Sequence, residues 1–85
     1  MKEFTYEIKD PMGVHARPAG LLVKAAAGFA SKISMDTPHG TADCKRIMAV
    51  MRMAVKQGDS VTVKCEGDDE ETACAELKAF FEANL

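Results

Sequence analysis

Phe4, Tyr6 and Ile8 alternate with polar residues, which predicts a half-buried strand over residues 2–8. Asp10-Pro-Met-Gly13 then reads as a turn. Leu22, Ala25, Ala26 and Phe29 recur at helical spacing, which predicts a helix from about Arg17 to Gly28, with Pro18 in its first turn, where a missing N–H costs nothing. Gly20 inside this helix costs roughly 1 kcal/mol against alanine unless something approaches closely there. Ile33 and Met35 open a second strand, Thr37-Pro-His-Gly40 is a hairpin turn, and a short third strand runs to about Cys44. Ile47, Val50, Met51, Ala54 and Val55 again follow a helical period, with Gln57-Gly58-Asp59 as the stop. Val61, Val63 and Cys65 alternate as a fourth strand. Asp68 or Asp69 is placed to cap a last helix, Glu70 and Glu71 suit its positive end, and Ala73, Leu77, Phe80 and Phe81 form its buried stripe. The order β-α-β-β-α-β-α predicts an α+β fold with one four-stranded antiparallel sheet, three helices on one face and the other face wet.

Composition narrows the picture. Eighty-five residues suit a single domain over 1–85, too small for an internal catalytic cavity, so chemistry belongs on the surface. Residues 1–56 carry nine positive and five negative charges, whereas residues 57–85 carry two positive and eight negative. The mildly basic first part suits an acidic protein or a phosphate, and the acidic tail reads as a solvated helix face. A pI near 5.6 argues against nucleic acid as the main target. No apolar run approaches a membrane span. Cys44, Cys65 and Cys74 are odd in number and form no CxxC pair, so they read as reduced cytosolic thiols and mostly as small core fillers.

The chemistry-bearing segment is Gly13-Val-His-Ala-Arg-Pro-Ala19, where the first strand gives way to the first helix. A histidine just before a helix start faces free backbone N–H groups and the positive end of the helix dipole, a setting that favours a neutral ring with a lone pair for attack. The N–H groups of Ala16 and Arg17 are placed to hold phosphoryl oxygens, and the Arg17 guanidinium matches phosphate geometry. Gly13 either takes an unusual backbone angle or makes room for a bulky group. The same residues also fit a plain helix entry, with His15 in the cap region and Arg17 solvated.

Gly-Val-His-Ala-Arg-Pro-Ala, followed about thirty residues later by Lys45-Arg-Ile-Met-Ala-Val-Met51, resembles HPr, the phosphocarrier family of the bacterial phosphoenolpyruvate-dependent sugar phosphotransferase system. The resemblance spans nearly the whole chain. It implies an open-faced β-sandwich of the order read above. It implies that enzyme I, charged by phosphoenolpyruvate, passes a phosphoryl group to Nδ1 of His15, which donates it to IIA components of sugar permeases. Arg17 matches the arginine that stabilises the phosphoryl group. Ile47, Met48 and Met51 match an apolar docking patch, with Gly20, Leu21 and Lys24 as its other half. Helical spacing alone allows Ile47 and Met51 to be core residues instead; Met48 is expected to be the more exposed, and Ile47 to share both roles. The family implies a cytoplasmic monomer, no cofactor and no stand-alone enzyme activity. The alternative within this fold is a regulator that acts by docking alone.

Arg46 departs from the family, many of whose members carry a serine there that is phosphorylated for regulation. Arginine is also a poor N-cap, with its charge at the positive helix end, unless Asp43 compensates. Arg46 is expected instead to pair with acidic residues on enzyme I or IIA. Met12 either lines the docking face or flanks the turn. His39 reads as a solvated loop residue, since only Asp36 and Asp43 are near enough in sequence to join it on a metal.

Overall fold

A computed structural model describes residues 1–85. Strands β1 (Lys2–Glu7), β2 (Lys32–Thr37), β3 (Gly40–Asp43) and β4 (Ser60–Glu66) form one antiparallel sheet in the order β1-β4-β2-β3. Helices α1 (Ala16–Ala27), α2 (Ile47–Arg52) and α3 (Glu70–Asn84) fill the connections, which gives the predicted β-α-β-β-α-β-α order. The register puts Phe4 opposite Val63 and Met35 opposite both Val63 and Ala42, so the apolar residues share one face. Strand alternation buries Val61, Val63 and Cys65 on that face. The outer face is polar and internally paired. Thr5 meets Thr62 at 3.0 Å, and Lys64 meets Asp36 at 2.8 Å. The Lys64 ammonium and the Thr41 hydroxyl hold the Asp36 carboxyl below its ordinary value.

The core between sheet and helices takes Leu22 and Ala26 from α1, Val50 from α2, and Ala73, Leu77 and Phe81 from α3. Phe4 and Tyr6 approach Phe81 edge-on at 5.6 and 5.7 Å between ring centroids. Ala25, Phe29 and Phe80 are only partly buried at the rim of these stripes. Cys44 and Cys65 are buried free thiols, and burial pushes Cys44 up to about 12 and Cys65 up to about 11.

Two expectations need correction. The second helix ends at Arg52 with Met53 as C-cap, well before Gln57-Gly58-Asp59. Ala54 turns through a positive φ of 47° and reverses the path of the chain. Val55 is still buried, but from the connection to β4, where its carbonyl accepts the Val14 N–H at 3.0 Å. At α3, Asp69 stands at the N-cap position without making a side-chain cap. Its carboxylate reaches back across the fold to accept the Ala30 N–H at 2.8 Å, the Ser31 N–H at 2.9 Å and the hydroxyl of buried Ser31. The Ser31 hydroxyl and then the Ala30 N–H hold the Asp69 carboxyl below its ordinary value. Glu70, the first helical residue, reaches back to accept the N–H of Gly67, in the turn before the helix, at 3.2 Å.

Candidate functional site

The turn after β1 is built so that His15 enters α1 in one conformation. Asp10 accepts the Met12 N–H on Oδ1 at 2.8 Å and the Gly13 N–H on its carbonyl at 2.9 Å. Gly13 has φ +66°, and a Cβ added there would lie 2.2 Å from the Val55 carbonyl oxygen. Both readings of Gly13 therefore hold, except that the room is needed for backbone of the α2–β4 connection rather than for a ligand. His15 follows as the N-cap of α1 in extended conformation, with φ −90° and ψ −176°.

The His15 side chain makes no cap hydrogen bond, and its carbonyl accepts the first intrahelical N–H, from Ala19, at 2.9 Å. Pro18 has no N–H to leave open. The Ala16 and Arg17 N–H groups thus remain at the helix start with no acceptor from within the chain. No acidic residue lies in the first turn. His15 and Arg17 line one open groove of about 260 Å³ with Asp10, Pro18, Leu21 and Asn84. The His15 side chain is one-third exposed, 33 %, and its Nε2 lies 3.8 Å from Asp10 Oδ2, a facing charge rather than a hydrogen bond. Asp10 and Asn84 were not foreseen as part of this site. Asp10 carries a turn signal in the sequence, whereas Asn84 arrives through the docking of α3, where the Leu85 carbonyl accepts the Lys9 and Asp10 N–H groups at 2.6 and 2.8 Å.

The second motif comes to the same side of the molecule. A Cβ on Gly20 would lie 3.8 Å from Ile47 Cδ1, in ordinary contact, so Gly20 marks where α1 meets α2 and does not exclude a side chain. Leu21, Ile47, Met48 and Met51 are exposed by 42, 40, 61 and 39 %, an unusual set of large apolar side chains for two short helices. Met51 is thus no core residue, since Val50 fills that role, and Met48 is the most open of the four. Lys24, Arg46 and Arg52 are exposed around them, and neither helix contains an Asp or Glu. Arg46 is the N-cap of α2 without a side-chain cap. Asp43 forms no ion pair with it; the Asp43 carboxylate accepts the Lys45 N–H at 2.9 Å and its carbonyl the Arg46 N–H at 3.0 Å, both at the start of α2. Met12, in the turn before the histidine, is exposed by 71 %.

A family model described as the PTS HPr component phosphorylation site matches residues 2–83. The chain belongs to the HPr family. It is 41 % identical over 85 residues to the phosphocarrier protein HPr of Mycoplasma genitalium, covering 99 % of this chain and 97 % of that one. It is 45 % identical over 73 residues to HPr of Lysinibacillus sphaericus, covering 86 and 83 % of the two chains. Its fold matches an HPr crystal structure from Thermoanaerobacter tengcongensis with a TM-score of 0.92 at 43 % identity, covering 98 and 93 %. HPr proteins are phosphocarriers rather than catalysts of small-molecule turnover, and they belong to the phosphotransferase system. Within this HPr chain no three His, Cys, Asp or Glu side chains gather to hold a metal. His39 is paired, with Nε2 at 3.4 Å from Asp59 Oδ2, a partner distant in sequence that the turn reading did not include.

Proposed function

We propose that this HPr accepts a phosphoryl group from phospho-enzyme I on Nδ1 of His15 and donates it to IIA components of sugar permeases, as a cytoplasmic monomer. The observation that carries this reading is the combination at the start of α1. A partly exposed imidazole and an arginine share one open groove, and two unpartnered N–H groups stand at the helix start where they sit. The Asp10 carboxylate faces Nε2, which favours the ring proton on that atom and leaves the Nδ1 lone pair for phosphorus. As the new P–N bond forms and the donor bond breaks, Arg17 and the Ala16 and Arg17 N–H groups neutralise the phosphoryl oxygens. The groove is too open to exclude water alone, so the partner's face supplies the remaining walls. Leu21, Ile47, Met48 and Met51 give that partner an apolar seat, and methionines adapt to more than one shape. Gly20, Lys24 and Arg46 complete the seat at the α1–α2 contact and on its basic rim. No helix is long and apolar enough to cross a membrane, which agrees with delivery to a separate permease component.

Intact-protein mass spectrometry after incubation with phosphoenolpyruvate and enzyme I tests the reading. The expected result is one acid-labile phosphoryl group, absent from His15→Ala and formed more slowly or lost faster in Arg17→Ala. Normal labelling of His15→Ala would discard it. Absence of labelling in the wild type with its own organism's enzyme I would leave docking alone as the function.

A further inference from the structure

On the side of the molecule formed by β1 and α3 lies a second open groove of about 460 Å³, lined by Lys2, Glu3, Phe4, Glu71, Cys74, Ala75 and Lys78. The phosphocarrier reading makes no use of it. Cys74 is half-buried at its wall, next to fully buried Ala73 on α3. Inward of it, in the core cluster that Cys74 packs against, is Cys65 of β4, fully buried on the inner face of the sheet. The register ties the two together. Lys2 is the ladder partner of Cys65 on β1, and the same Lys2 lines the groove beside Cys74. Cys74 packs against the core cluster to which Cys65 belongs, and a charge on Cys74 would oppose ionisation of Cys65. Cys44, the third thiol, is buried near Cys65 but has no opening to solvent of this kind. One sulfur is thus reachable from solvent, and a second sits behind it as a reserve.

We infer that Cys65 and Cys74 form a dithiol couple that closes to a disulfide under a hydroperoxide, with Cys74 as the attacking sulfur and Cys65 as the resolving one. In the first step the Cys74 thiolate attacks a peroxide oxygen. The O–O bond breaks, the sulfur is oxidised by two electrons to a sulfenic acid, and hydroxide leaves from hydrogen peroxide, or an alkoxide from an organic hydroperoxide. In the second step the Cys65 sulfur attacks the sulfenic sulfur. The S–S bond forms, the S–O bond breaks, and the thiol proton leaves with the hydroxide as water. The product pins α3 to β4 through a bond that a thiol reductant opens again. The couple needs no metal and stands apart from His15, so it is testable in the protein with no partner present.

The test is oxidation of the folded, full-length chain with hydrogen peroxide, followed by unfolding, alkylation of the remaining thiols and tryptic digestion. Cleavage after Lys64 and Lys78 puts both cysteines in one peptide, whereas Cys44 falls in the peptide ending at Lys45. The expected result is a 65–78 peptide that has lost two hydrogens and is restored by dithiothreitol, with Cys44 still fully alkylated. Cys74→Ser should leave Cys65 fully alkylated at peroxide levels that close the wild type, and Cys44→Ser should behave as wild type. The inference is overturned if Cys74 accumulates oxygen while Cys65 stays alkylatable. It is equally overturned if Cys65 pairs with Cys44, if chains cross-link through Cys74, or if Cys65 oxidises as fast in Cys74→Ser.

Discussion

The starts of α1 and α3 treat the same electrostatic problem in opposite ways. Both expose the positive end of a helix, which carries roughly half an elementary charge. At α3 the chain answers with its own carboxylates. Glu70 and Glu71 occupy the first turn, and Glu70 takes the Gly67 N–H. At α1 the first turn has no acid, and the one charged side chain in it is that of Arg17. A helix designed only for stability would carry a carboxylate or a Ser or Thr cap at that point. The α1 start forgoes that stabilisation and leaves two N–H groups open beside His15, which the proposed function uses as an anion seat next to the nucleophile. The start of α2 repeats the omission, with Arg46 at its cap. The two helices with no acid in their first turn, α1 and α2, are the two whose exposed residues make up the proposed docking face.

Four substitutions break or sharpen this contrast. The largest effect is expected from Gly13→Ala, which forces a Cβ into the Val55 carbonyl and a left-handed backbone on alanine. A loss of at least ~2 kcal/mol in urea unfolding is expected, because neither strand of the contact is a flexible side chain. Next comes Ala16→Asp, which gives α1 the acid that α3 already has. Stability should rise by ~0.3–1 kcal/mol while phosphoryl transfer falls by roughly tenfold or more, since the carboxylate occupies the anion seat. A fall in both, or in neither, would remove the special status of the α1 start.

Asp69 is the third case. Its carboxyl is held down by the Ser31 hydroxyl and the Ala30 N–H, so the charged form is favoured by folding. The stabilisation it gives is present above the unfolded value near pH 4 and is lost as pH falls through the lower folded value. The wild-type urea midpoint should therefore drop below about pH 4. Asp69→Asn should lower the midpoint already at pH 7 and flatten the acid limb, because an amide cannot accept from both backbone donors. The smallest effect belongs to Arg46→Ser. A serine cap should add ~0.5–1 kcal/mol to stability, with transfer unchanged or at most about twofold slower. A faster transfer would show that Arg46 opposes docking rather than pairing with an acidic partner.

The strands were legible because a sheet with one wet face writes its period directly into the sequence, as Val61, Val63 and Cys65 show. The stripes of α1 and α3 were legible for the same reason. The end of α2 was not. Val55 continues the helical period by coincidence of spacing, while its burial and its bond to Val14 come from the connection that crosses behind Gly13. Periodicity does not say against which element a residue is buried, nor, as Ile47 and Met51 show, whether an apolar position is buried at all. The same limit hid the true partners of Asp69, almost forty residues away at Ala30 and Ser31, and of His39, which meets Asp59. At the functional site, His15 and Arg17 were readable from a contiguous motif. Asp10 and Asn84 became part of it only through backbone closure of the turn and of α3.

The contact between Gly13 and Val55 has a kinetic consequence. It fastens the loop that carries the histidine to the segment that follows α2, backbone against backbone, with the Val14 N–H on the Val55 carbonyl. Under the proposed function, the His15 ring and the apolar seat then meet a partner already joined through this contact, with no segment to fold before the encounter becomes productive. Such a surface loses little entropy on association, and its cationic rim speeds the approach of an acidic protein. With a small apolar centre, release is correspondingly quick. A carrier that must leave one protein before reaching the next is served by short residence times, and association rates that fall with added salt are their accompanying signature.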